Sequence, residues 1–220
     1  MEQYPVRVPF PTVRRRRLQT CHNDPYHVYR GLTNMSEPLI TVSYEPSFGG
    51  GRDGDLRLAT AFFLQFARFE CAMKGAGYLK ENSKNDASPD WDELFKETAV
   101  RKCFETPQSS ELEKAIDFYI ATPSDTRDEG RPKKQIVDSS RKLSFEDKPV
   151  SGCISCQLSV YVRRTRNNLF HGGKFGTNTP IQFRHRDRLL MKYGLIILNA
   201  CLHANADLAK HYSGNSNLYG

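Results

Sequence analysis

The chain has 220 residues, of which 38% are hydrophobic and 26% charged, and a net charge of +7. That length accommodates one good core with an appendage and leaves two full domains cramped, while the composition excludes a disordered chain. No apolar run approaches the roughly 18 residues that a membrane span requires.

The opening MEQYPVRVPFPTVRRRRL lacks the apolar centre of a secretory signal, so the six cysteines read as reduced thiols of a cytoplasmic protein. Charge is unevenly spread. Residues 1–53 hold seven basic and five acidic groups, or +2. Residues 54–150 hold sixteen and eighteen, or −2, and residues 151–220 hold nine and two, or +7. The last third therefore either draws in a polyanion or presents a solubilising face.

Residues 1–53 are rich in Pro, Gly and Arg and form an extended arm with one predicted strand, Leu39 to Glu45. Within it the run Arg14 to Arg17 either contacts RNA phosphates or is solvated or held by a partner subunit. The breaker GGGRDGD closes the arm. A long helix is predicted from Asp55, its N-cap, to Tyr78, with Leu56, Ala59, Phe62, Phe66, Phe69, Met73 and Ala76 as the apolar stripe and Glu70 beside it. A second helix opens near Pro89, where Asp90, Asp92 and Glu93 suit the helix dipole. Ser110 to Ile120 forms a third. Pro123 to Lys134 is a loop, and Ile136 to Pro149 is either a short strand or an ordered loop. A fourth helix starts at about Ser155, and the last runs from Arg184 to Lys210 with Leu189, Tyr193, Ile196, Ile197, Ala200 and Leu208 inward. About five helices with short connections predict an all-α fold over residues 54–220, an antiparallel helical bundle behind the partly β N-terminal arm.

The fourth helix carries RTRNNLFHGGKF, Arg164 to Phe175. On a helix turning about 100° per residue, Leu158, Val162, Thr165 and Leu169 share one narrow sector, the buried stripe. Arg163, Arg166, Asn167, Phe170 and His171 occupy another, about 80° to 220° from Leu158. Asn167 and His171 stack on neighbouring turns, whereas Arg166 and His171 diverge by about 140° on a regular helix. The length of an arginine and the loosening at Gly172 and Gly173 let all three grip one anion.

Arg166-Asn167-Asn168-Leu169-Phe170-His171 resembles the signature of the HEPN superfamily: arginine, a polar residue, three variable residues, then histidine. The run NLFHGGK, Asn168 to Lys174, is similar to the version found in many bacterial members, and RFECAMKGAGY, Arg68 to Tyr78, to their first core helix. The likeness covers residues from about 54 to 210. It implies a helical domain that commonly dimerises so that two motifs face each other. It also implies a metal-independent endoribonuclease, in bacteria a toxin or an effector of phage defence.

The chemistry suits these residue types. Cleaving RNA without a metal needs a base, an acid and positive charge on the phosphorus. Histidine titrates near neutrality, and arginine presents a charged fork to two phosphate oxygens. The catalytic candidates are thus Arg166, Asn167 and His171, with Arg163 and Lys174 touching substrate and Glu70 orienting Arg166 or His171. The bland alternatives are a capping His171, a capping Asn167, a surface Arg166 paired with Glu70 and a solvated Glu70. The helix end favours protonated His171, and Arg163, Arg164 and Arg166 oppose it.

RNA and a second copy of the chain are the expected partners, with an antitoxin or defence-system protein as a further one. A different reading is a non-catalytic module that binds nucleotide or RNA, or pairs with a nucleotidyltransferase. In one such pairing a tyrosine follows the histidine by two residues; Gly173 stands there. Cys153 and Cys156 make only half of a four-cysteine zinc site, which Cys21 and His22 are poorly spaced to complete, and no glycine-rich phosphate loop appears. No cofactor or metal is expected.

Overall fold

A computed structural model describes residues 52–81, 86–123, 130–171 and 185–214, with only the backbone of residues 52, 53, 170 and 171. The chain divides into two compact units, Met1–Glu37 and Pro38–Gly220, and all described residues belong to the second. The arm with its strand at Leu39–Glu45, Arg14–Arg17, Cys21, His22 and Lys174 therefore lies outside the described residues.

Helix predominates, as the periodicity predicts. The helices are α1 (Arg52–Gly75), α2 (Trp91–Lys96), α3 (Thr98–Glu105), α4 (Ser110–Ile120), α5 (Ile154–His171), α6 (His185–Ala204) and α7 (Ala206–Ser213). Two antiparallel hairpins interrupt them: β1 (Leu79–Glu81) with β2 (Ala87–Pro89), and β3 (Lys134–Val137) with β4 (Leu143–Glu146). The first hairpin was not expected, and the second resolves the ambiguous stretch after Ile136. No single described helix is long and apolar enough to cross a membrane.

Helix α1 begins before Asp55, so that carboxylate does not cap it. Asp55 is buried instead and receives two hydrogen bonds from Arg188 of α6, Nε at 2.5 Å and Nη2 at 2.9 Å. The predicted stripe holds at Ala59, Phe62, Phe66, Phe69 and Met73, buried together with Leu58 and Ala72, and Ala76 packs against the core, whereas Leu56 faces solvent. The expected second helix is two short ones, α2 and α3, parted at Glu97, whose extended ψ of 136° no helix tolerates.

The expected last helix is broken at Asn205, with a 113° bend between α6 and α7. Asn205 has extended backbone and its Oδ1 accepts from Leu208 N at 2.8 Å, an N-cap for α7. Its Nδ2 donates to Glu97 Oε2 at 2.6 Å and to Tyr78 Oη at 2.7 Å, and Tyr78 donates to Glu97 at 2.5 Å. Side-chain bonds from three elements thus fix the break.

Helix α6 touches α1, α3, α4, α5 and α7. Wrapped on several sides, it buries Leu190, Met191, Leu195, Leu198, Cys201 and Leu202 as well as Ile197, so its true inner face lies beside the predicted stripe. Its Gly194 permits the closest approach: a Cβ there would stand 2.8 Å from Phe62 Cε2 and 2.9 Å from Tyr119 Oη. Tyr119 is buried, donates to Leu190 O at 2.7 Å and pairs with Thr165 Oγ1 at 3.1 Å, tying α4 to α5 and α6.

Among the described cysteines, one pair departs from the expectation of reduced thiols. Cys153 and Cys156 form a disulfide where α5 starts, their Cα atoms 5.2 Å apart, within bridging range. Cys71, Cys103 and Cys201 are free.

Candidate active site

Helix α5 positions the expected residues. Its inner face buries Ser155, Leu158, Ser159, Tyr161, Val162, Thr165 and Leu169, which include the whole predicted stripe. A face so fully packed fixes the rotation of the helix, and Arg163, Arg166 and Asn167 are consequently turned toward α1, α2 and the first hairpin.

There they line one cleft of about 250 Å³. Phe66 and Glu70 of α1 form one wall; Lys80, Ser88 and Pro89 of the first hairpin, with Trp91 of α2, form another. Trp91 stacks between Phe66 and Phe69, ring centroids 5.1 and 5.4 Å away, and its Nε1 donates to Glu70 Oε1 at 3.2 Å. The indole, locked in the core, thereby aims the Glu70 carboxylate at the cleft wall. Ser88 Oγ donates to Lys80 O at 3.1 Å, pinning the hairpin, and Lys80 Nζ stands 3.9 Å from Asp90.

Arg166 lies over the Phe66 ring, 5.6 Å from its centroid, and donates through Nη1 to Asn167 Oδ1 at 3.0 Å. The cation–π contact and the hydrogen bond both hold the guanidinium head at the cleft. Arg163 is held more deeply. It donates to Ser159 O at 3.1 Å, to Ser159 Oγ at 3.2 Å and to Asp92 Oδ1 at 3.4 Å, and lies 5.8 Å from the Trp91 centroid. Burial pushes its pKa down and the carboxylates of Asp92, Glu70 and Asp90 push it up, so it remains a cation with carboxylates around it. The expected substrate contact is thus also a structural tie between α5 and α2.

His171 ends α5 and belongs to the same helix as Arg166 and Asn167; its side chain lies outside the described residues, as does Lys174. The structure brings together four expected residues, Glu70, Arg163, Arg166 and Asn167, and adds Lys80, Ser88 and Trp91, which are not among the expected ones. A signal for Trp91 existed, since it is the single tryptophan and follows a Pro-Asp helix start. None existed for Lys80, because the first hairpin has no apolar alternation. Among the described residues no group of three or more His, Cys, Asp or Glu side chains is placed to hold a metal ion.

Comparison with family models, with curated proteins and with solved structures gave no match.

Proposed function

We propose that the chain is a metal-independent endoribonuclease of the HEPN type. It works as a cytoplasmic homodimer of antiparallel helical bundles, serving as a toxin or a phage-defence effector. The supporting observation is the joint placement of Arg166 and Asn167, head to head, in a cleft that also carries Lys80 and Glu70. In this reading the 2′-oxygen attacks phosphorus, an O2′–P bond forms and the P–O5′ bond breaks. One His171 takes the 2′-hydroxyl proton and the partner's His171 gives a proton to the departing O5′. Arg166 presents its fork to the phosphate oxygens as charge gathers on them, and Asn167 holds that fork in line.

The test is incubation of purified protein with RNA in chelator, beside His171→Ala and Arg166→Ala. Cleavage that persists in chelator and falls at least 100-fold in both variants is the expected result. Equal cleavage by all three proteins, or cleavage abolished by chelation alone, overturns the reading.

A second reading is a non-catalytic RNA- or nucleotide-binding module, possible because the Arg163 and Arg166 heads both hold partners within the protein. Tight RNA binding without cleavage, indifferent to His171→Ala, selects it.

A further inference from the structure

Hairpin β3–β4 stands apart from the core in character. Three of the seven exposed large hydrophobic side chains among the described residues sit on it: Val137, Leu143 and Phe145, at 74%, 52% and 41% exposure. The register pairs Val137 with Leu143 and Gln135 with Phe145. Side chains alternate along a strand, so these four share one face, while Lys134, Ile136, Ser144 and Glu146 share the other. The hairpin is tied to α5, the helix that carries three of the cleft residues: Gln135, directly across from Phe145, donates to Asn167 O at 3.3 Å, and Asn168 Nδ2 donates to Lys133 O at 2.9 Å.

The turn adds a second peculiarity. Asp138 Oδ1 accepts from Ser140 N at 2.8 Å and Lys142 N at 2.9 Å, and Arg141 N reaches Asp138 O at 2.9 Å. Arg141 itself has φ of 59°, the one positive φ on a non-glycine residue among the described residues. Three-residue hairpin loops end in such a left-handed residue, and glycine, which bears it without strain, is the residue usually found there. An arginine in that place keeps a charge at the tip at the expense of backbone comfort. Lys142 follows, and both side chains are exposed.

Charge decides what this surface fits. Residues 130–148 hold six basic and three acidic groups, or +3. Asp138 is occupied by the turn and Asp147 by a two-pronged bond from Arg131, at 2.8 Å on each prong, while Glu146 lies on the far face opposite Lys134. An apolar, aromatic strip under a cationic tip suits a single strand of nucleic acid, whose bases stack on aromatic faces while its phosphates meet Lys and Arg.

We infer that the β3–β4 hairpin is a binding ribbon for single-stranded RNA, with an unpaired base on Phe145 and the neighbouring phosphates on Arg141 and Lys142, leading the strand to the cleft at Asn167. Its choice of RNA rests on the nuclease reading above, although the ribbon binds whether or not cleavage follows. The ribbon selects unpaired stretches over duplex, because stacked and paired bases offer no face to Phe145.

The experiment measures fluorescence anisotropy of a labelled, unstructured 20-nucleotide RNA with the full chain carrying His171→Ala, so that binding is read without turnover. Adding Phe145→Ala is expected to weaken binding about tenfold, and Arg141→Gly about threefold. Arg141→Gly relieves the backbone, so its melting temperature should stay level or rise while affinity falls, a combination that a merely structural role does not produce. A duplex of equal length should bind more weakly than the single strand and be indifferent to Phe145→Ala. Unchanged single-strand affinity in both variants overturns the inference. So does a change confined to self-association in sedimentation, which makes the strip a contact between copies of the chain. Cleavage assays on the chain with His171 intact test the nuclease reading separately: a ribbon that binds in a protein that does not cut leaves this inference standing.

Discussion

Arg166 uses its planar head twice, over Phe66 and against Asn167. Lysine supplies the same charge with neither stacking nor a fork. Arg166→Lys should therefore lower RNA cleavage at least tenfold with little change in melting temperature, and recovery of more than half the rate would show that charge alone suffices. Tyr78 gives a residue-scale test of stability. Burial first, then its bond to Glu97, raise its pKa from 10.0 to about 12. The folded state binds the phenol proton more tightly than the unfolded one, so the stabilisation is complete below pH 10 and is lost as pH climbs from 10 to about 12. In Tyr78→Phe the slope of stability against pH in that window should flatten; an unchanged slope would place the titration elsewhere. The site was legible where it follows one helix: Leu158, Val162, Thr165 and Leu169 define the inner face, and the arginines fall outside it by geometry. Lys80, Ser88 and Trp91 come from distant chain and reach the cleft only through packing, which no local pattern encodes.

Among the elements, α6 is the one every other large helix leans on, and Gly194 is where it leans hardest. Phe62 is fixed in the core and Tyr119 by its bonds to Leu190 and Thr165, so neither yields easily to a methyl group. Gly194→Ala should lose about 1–3 kcal/mol in urea unfolding despite the better helix propensity of alanine; a stabilised variant would mean that α6 can slide. Local caps and periodicity decide which elements the sequence announces. Ser110–Ile120 is legible to the residue because Ser109 caps it, its Oγ accepting from Leu112 N, and because its inward residues keep a strict period. The break at Asn205 is invisible in the sequence because apolar periodicity continues through Leu208, and only the partners of Asn205, Glu97 and Tyr78, show why the helix must turn there. The first hairpin, three residues a side and polar, has no periodicity to read.

Across the whole molecule, the +7 net charge gathers in the last 70 residues, and the cleft and ribbon add Lys80, Arg141 and Lys142 from the otherwise acidic middle. Affinity for single-stranded RNA should therefore fall with salt by about 0.7 log units per log unit for each phosphate met. Lys142→Ala should make that slope shallower by about 0.7; a slope near zero in the parent would remove polyanion binding from consideration.

Arg131 and Asp147 stand just outside the two ends of the β3–β4 ribbon, and their clasp has a topological result. Arg131 also donates to Ile120 O and accepts at its own carbonyl from Arg186, while Arg164 donates to Lys148 O at 2.6 Å. Severing the main chain between Ser139 and Ser140 would thus produce two halves still laced together by the ladder, the clasp and the shared core. The tip of the ribbon is a natural seam at which this molecule can be divided into complementing fragments, each carrying part of one cleft and neither holding it alone.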